Sequence, residues 1–294
     1  MTVHMAKRSE FPWWRRLLQL NVLVALGAAS IAATGPLLAG GTPRWQGAAI
    51  AFGLVLAVYN FDRIADRSPA EGHSTPERAA TVARTRAWMV WLIPALLLGS
   101  LALAAAHGLR PTLWSLAFPA FGVAYVLPLL PFRTRRPKDV PYLKCFYTAA
   151  CWMLLVGIGL SLGSGGRPAL VVPFVLFVFL RMFASTYLGD LRDMQDDAAA
   201  GLVTIAGTIG RDASYRLLDG VHLASAVVLV GFVAAGAMAP AAVVLLLPAA
   251  IGFGVYRLYR RFPHQHELLF ELYDIENALY APCLLLAGAL VGAG

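Results

Sequence analysis

Apolar runs of roughly 20 residues recur from one end of this chain to the other, and each is long enough to cross the hydrocarbon core of a bilayer. The charged fraction of 14% is far below the roughly 25% of a soluble domain, and the mean hydropathy of +0.67 points the same way. The pattern predicts an all-α integral membrane protein, a bundle of nine transmembrane helices near residues 17–40, 44–62, 87–107, 112–131, 142–163, 168–188, 217–237, 239–259 and 274–292. One membrane-embedded domain over residues 1–294 is the simplest organisation, with two pseudo-repeated halves at roughly 17–131 and 142–292.

The net charge of +8 raises the question of a nucleic-acid partner, and the placement of the basic residues answers it. With the amino terminus inside, 19 of the 24 Lys and Arg fall in inside connections. Only Arg44, Arg110 and Arg167 fall outside, while Lys144 and Arg181 lie within spans. This is the bias of cytoplasmic loops, not a nucleic-acid face. It predicts a multi-pass protein of a bacterial inner membrane with a cytoplasmic amino terminus. The first run follows WWRR and contains small residues, as a signal peptide would, but its length and the eight spans after it favour an uncleaved first helix. The stretch EFPWWRR reads as an amphipathic interfacial lead-in. Cys145, Cys151 and Cys283 lie in apolar spans without ligand spacing, so neither a disulfide framework nor a zinc site is expected, and no histidines pair as a metal site.

Outside connections such as GGTPR and HGLRP are short; inside ones are longer and carry nearly all the unusual polar residues. Two of them open on aspartates. YNFDRIAD ends the second run and YLGDLRDMQDD the sixth, so Asp62 and Asp66 repeat the spacing of Asp193 and Asp197 at the same position relative to the membrane. If the helices continue through these stretches, Asp190, Asp193 and Asp197 point within roughly 60° of one another, and Asp62 and Asp66 within about 40°. Asp196 points away and reads as a solvated or secondary carboxylate. Like charges stacked on one helix face repel, so a positive partner is expected. Hard divalent cations take carboxylate oxygens, and magnesium keeps contact with substrate phosphates. Two facing acidic clusters could hold such ions around a diphosphate; the alternative is a pair of ordinary solvated helix ends.

The stretch DLRDMQDDAAAGLVTIAGTIG resembles the second aspartate-rich motif of the UbiA superfamily of intramembrane prenyltransferases, in which DxxDxxxD is followed by Gly, Thr and a further Gly. Asp190, Asp193 and Asp197 match its acidic positions, and Gly201, Thr204 and Gly210 fit the continuation. The family has nine transmembrane helices with its two motifs after helices two and six, so the resemblance covers nearly the whole chain. The first motif, NDxxDxxxD in the family, is matched by Asp62 and Asp66, while Val58 and Tyr59 stand where Asn and the first Asp belong, and Asn60 lies two places out of register. The chain is similar to a divergent branch of the superfamily.

The resemblance implies magnesium held by Asp62, Asp66, Asp190, Asp193 and Asp197 as catalytic and metal-ligating residues. It implies diphosphate contacts from Arg78, Arg135, Lys144 and Arg192. Tyr59, Tyr125, Tyr147 and Tyr187 are candidates for the prenyl path, with Tyr142, Phe146, Trp152 and Phe183 near the same membrane face; interfacial belts also use such aromatics. The expected partners are a prenyl diphosphate, a lipophilic acceptor and the bilayer. The expected reaction is Mg-dependent transfer of a prenyl group to that acceptor. A terpene cyclase of the same fold, or a lipid-binding or transport relic, are the alternatives. Lys144 and Arg181 are costly inside a span and are expected to face a cavity or a partner. Glu271, Asp274 and Glu276 carry no evident chemistry, and the oligomeric state is not legible.

Overall fold

The computed structural model describes residues 12–65, 76–127, 136–164 and 166–292. The longer helices are α1 (Trp13–Gln19), α2 (Val22–Leu38), α3 (Trp45–Ala65), α4 (Pro76–Ala105), α5 (Leu109–Val126), α6 (Leu143–Leu162) and α7 (Val172–Arg192). After them come α8 (Met194–Ala199), α9 (Ile205–Ala234), α10 (Leu246–Arg261), α11 (His266–Tyr273) and α12 (Ile275–Gly292). Helix covers part of every expected span. Six segments meet the length and apolarity of a membrane crossing, and the pair α1–α2, bent by 61°, makes up to seven. The nine expected crossings are thus not reached by that measure among the described residues.

The bend between α1 and α2 has a defined cause. Asn21 adopts a left-handed conformation, φ 62°, and its buried amide donates to Asn60 Oδ1 at 3.2 Å on α3. The Asn60 amide in turn donates to the Leu20 carbonyl at 3.0 Å and to Leu56 at 2.7 Å. Arg63 adds bonds to the Gln19 carbonyl and to Asn21. Asn60 therefore spends its hydrogen bonds on the fold. Trp13 and Trp14 stay exposed on α1.

Helix α2 packs against α3, α6 and α12, so the first apolar run is a central element and the last helix returns to it. It crosses α6 closely: a Cβ on Gly159 would collide with the backbone carbonyl of Ala32. Ser30 accepts the Ala281 backbone N–H at 2.9 Å, tying α2 to α12.

The second half is organised around Arg181, 1% exposed on α7. Its guanidinium forms a two-pronged pair with Glu276 of α12, donating to Oε1 at 2.8 Å and also to Oε2. It further meets His222 and Ser225 of α9. Tyr280 donates to Glu276 at 3.1 Å, and His222 stacks on Tyr256 of α10 with centroids 5.0 Å apart. Gly252 is required at this point, since a Cβ there would overlap the Glu276 carboxylate. The in-span arginine thus has the partner its burial demands, and that partner is a glutamate without evident chemistry in the sequence.

Removing one member of a buried pair strands the other charge, at a cost of about 3–5 kcal/mol, whereas replacing both by apolar groups costs far less. Glu276→Ala should therefore lower the thermal unfolding midpoint in detergent sharply, and Arg181→Met with Glu276→Met should recover most of the loss. Equal midpoints for the single and double variants would contradict this role.

Candidate functional site

A cavity of about 150 Å3, open on one side, lies among α3, α5 and α6. Helical spacing places its lining. Val58, Tyr59 and Asp62 come from one face of α3, and Phe118, Gly122, Tyr125 and Val126 from one face of α5. Tyr147, Thr148, Cys151 and Trp152, at offsets of one, four and five, come from α6. Gly122 lets α5 approach Val58 where any side chain would collide. Most of the wall is apolar or aromatic, and Asp62 is its carboxylate.

The aromatic groups are fixed by polar contacts as well as packing. The Trp152 indole, which can only donate, gives its N–H to Tyr59 Oη at 2.8 Å, and the two rings meet edge to face at 6.1 Å. Tyr125 stacks on Tyr147 at 5.6 Å, and Tyr147 donates to the Phe121 carbonyl at 2.7 Å.

One turn below Thr148 on α6 stands Lys144. Its ammonium lies 2.9 Å from Asp190 Oδ1, and 3.0 and 3.2 Å from the two oxygens of Asp197. Cys145 Sγ donates to Asp190 Oδ2 at 2.9 Å. Burial pushes the Asp197 carboxyl above its usual range and the Lys144 charge opposes that; Asp190 and Asp193 lie within electrostatic reach of it. Helix α6 joins the two regions, since Thr148 on the cavity wall lies one turn from Lys144 and its Oγ1 donates to the Lys144 carbonyl at 3.1 Å.

The second acidic stretch does not continue as one helix. Asp193 (φ −91°, ψ 11°) ends α7 and precedes α8, so Asp190 and Asp197 meet on Lys144 while Asp193 turns to a different cation. The expectation of three carboxylates on one continuous helical face is corrected here: the chain re-aims at Asp193. The residues after it serve the backbone. Gly201 (φ 73°) and Gly210 (φ 77°) hold conformations that side chains rarely adopt. Thr204 caps α9, accepting the Gly207 N–H at 3.1 Å.

Arg192 binds both oxygens of Asp193 at 2.6 and 2.7 Å, stacks over Phe270 at 4.0 Å and reaches toward Glu267 on α11. It faces α11 and does not line the cavity. Tyr187 is wholly buried, donates to Ser214 at 2.8 Å and stacks on Phe183, so it too lies off the cavity wall. Tyr142, Phe146 and Asp196 are exposed. Asp66 and Arg135 lie outside the described residues, as does the side chain of Arg78. Sequence reasoning missed Cys145, Thr148 and Cys151 as site neighbours. Lys144, Thr148 and Cys151 share one face of α6 by their spacing, a signal that extending from Lys144 would have found.

The donor set suits a hard divalent cation. Asp190 and Asp197 already converge on one positive charge. Among the described residues no group of three His, Cys, Asp or Glu is close enough to hold an ion alone. Two carboxylates are what magnesium takes when water and phosphate supply its other ligands.

A sequence model described as the UbiA prenyltransferase family matches residues 21–273. Among curated proteins, no sequence match is found. Solved structures share the fold. A UbiA homolog from Aeropyrum pernix K1, determined without ligand, aligns with a TM-score of 0.67 at 17% identity, covering 92% of this chain and 98% of its own. A UbiA homolog from Archaeoglobus fulgidus bound to GPP and Mg2+ aligns with a TM-score of 0.61 at 16% identity, covering 94% and 99%. A structure described for digeranylgeranylglyceryl phosphate synthase aligns with a TM-score of 0.53 at 13% identity, covering 94% and 98%.

Because Arg192 is committed to Asp193, Phe270 and Glu267, Arg192→Met should cost roughly 1–3 kcal/mol of stability by leaving Asp193 without its charged bonds. Its effect on diphosphate affinity, measured by titration in nanodiscs, should stay within about threefold. A loss of affinity without a loss of stability would place Arg192 on the ligand instead.

Proposed function

Since the chain belongs to the UbiA prenyltransferase family, we propose that it is a multi-pass membrane enzyme that transfers the prenyl group of a polyprenyl diphosphate to a lipophilic acceptor, with magnesium. One observation carries the reading: the wall of the aromatic cavity that holds Asp62 and the Asp190–Lys144–Asp197 cluster share α6, with Thr148 of the wall one helical turn from Lys144. A diphosphate at the cluster would place its hydrocarbon tail beside the cavity.

Magnesium, when bound, supplies Lewis-acid stabilisation of the charge that develops on the departing diphosphate. Asp190 and Asp197 would hold it, with phosphate and water completing its ligands, and Asp62 would add its charge from the cavity wall. As the C1–O bond breaks, its electron pair leaves with pyrophosphate, and Lys144 is placed to balance that charge. The faces of Tyr59, Tyr125, Tyr147 and Trp152 stabilise the allylic cation without capturing it, through cation–π attraction. Their bulk also keeps water from the cation. An electron pair of the acceptor then forms the new bond to C1, and the acceptor gives up a proton. The excess of basic residues in the inside connections orients the cluster toward the cytoplasm.

Purified protein in nanodiscs should release pyrophosphate from an allylic prenyl diphosphate when magnesium and a membrane lipid extract are present. Asp62→Asn and Asp190→Asn should each slow release by about 10²–10³-fold, the range seen when a preorganised charge-stabilising group is lost. A hydrocarbon or alcohol formed without acceptor would assign a cyclase instead. Failure to cleave any allylic diphosphate, with intact fold and bound ligand, would sink the enzymatic reading.

A further inference from the structure

Within the second acidic stretch the two kinds of cation contact differ in how fixed they are. Asp193 is paired with Arg192, whose planar guanidinium makes two parallel bonds and is clamped over Phe270. Asp190 and Asp197 share the one flexible ammonium of Lys144, whose three donors are all used on them. The carboxylates are the buried end of this cluster, at 3% and 9% side-chain exposure, and the lysine is the more exposed end at 23%. An arginine fork is a fixed clamp, whereas lysine carries a point charge on a four-carbon stem that can swing.

We propose, resting on the prenyl-transfer reading above, that Lys144 is an exchangeable counter-ion: its ammonium closes the Asp190–Asp197 pair, and a divalent cation enters that pair only together with a diphosphate that draws the ammonium away. Geometry sets the exclusion. The ammonium is within 3.0 Å of an oxygen of each carboxylate, so a metal bridging the same oxygens would sit against it, and two positive charges at that separation repel strongly. A free divalent ion gains the carboxylates but must leave an ammonium unpaired in a poorly hydrated place. A diphosphate resolves the conflict by offering the ammonium several anionic oxygens in exchange for the two it releases. Thr148, whose Oγ1 donates to the Lys144 carbonyl at 3.1 Å, lines the cavity one turn above. The groups facing Lys144 are Asp190, Asp197 and Tyr125, with Cys145 bonded to the same Asp190. The order of loading follows: metal and diphosphate arrive as a unit, and metal alone is held poorly.

The test is Mn2+ titration followed by electron paramagnetic resonance in nanodiscs, with and without an unreactive prenyl thiolodiphosphate. Wild type should bind Mn2+ weakly alone and much more tightly with the analogue. Lys144→Met should bind Mn2+ alone about tenfold more tightly than wild type and lose about tenfold in analogue affinity, two changes of opposite sign within the usual range of coupled binding. Lys144→Gln keeps hydrogen-bonding capacity without charge and should change in the same directions; it gives the reading if Lys144→Met does not fold. Mn2+ affinity that is unchanged or weaker in both variants overturns the exchange while leaving prenyl transfer standing. Wild type that binds no Mn2+ even with the analogue overturns both.

Discussion

A charge inside an apolar bundle must meet an opposite charge, and this requirement organises the molecule more than any single apolar contact does. Arg181 and Lys144 are the basic residues that fall within the predicted spans, and each has drawn a set of helices around it. Arg181 gathers α7, α9, α10 and α12 through Glu276, His222 and Ser225. Lys144 draws the start of α6 onto the end of α7 and onto α8. The first network is closed and buried on every side, as befits a structural pair; the second is at a helix end with its cation partly exposed. The same physical demand thus yields a rigid scaffold in one place and a responsive site in the other.

The two acidic stretches are unequal partners. The second supplies a pair of carboxylates already gathered on a cation, plus a third, Asp193, tied to α11 by Arg192. The first supplies Asp62 to the cavity wall, with Tyr59 one turn deeper, its oxygen accepting from Trp152. A phenol cannot serve as a hard-cation ligand as a carboxylate does, so the α3 side contributes fewer charges and more aromatic surface. The divergence in the first motif is therefore a change in what the cavity wall is made of, with its shape preserved by the Trp152 bond.

Much of this was legible in the sequence. Apolar length marked the helices, because membrane energetics act on local segments. The cost of in-span charge correctly marked Lys144 and Arg181 as residues needing partners, whereas Asp190 and Asp197 converge by a break in the helix that their spacing did not announce. What the sequence could not show was long-range pairing. Glu276 lies 95 residues from Arg181, and no periodicity connects them. The break at Asp193, where one helix ends and the next begins, was hidden because the even spacing of the aspartates reads as one continuous helix. Tyr187 and Arg192 had the right depth and the wrong azimuth, which depends on how helices pack against one another.

The close crossing of α2 and α6 has a mechanical consequence. Gly159 rests against the Ala32 backbone with no room for sliding, and α2 is itself held by α12. That crossing is a fulcrum near one end of α6, while Lys144 is at the other, 15 residues and thus about 22 Å away at 1.5 Å per residue. A tilt of about 5° about this point carries the Lys144 end through about 2 Å, while residues beside the fulcrum scarcely move. Small angular changes in one helix are thereby amplified at its amino-terminal end, where the charged groups meet.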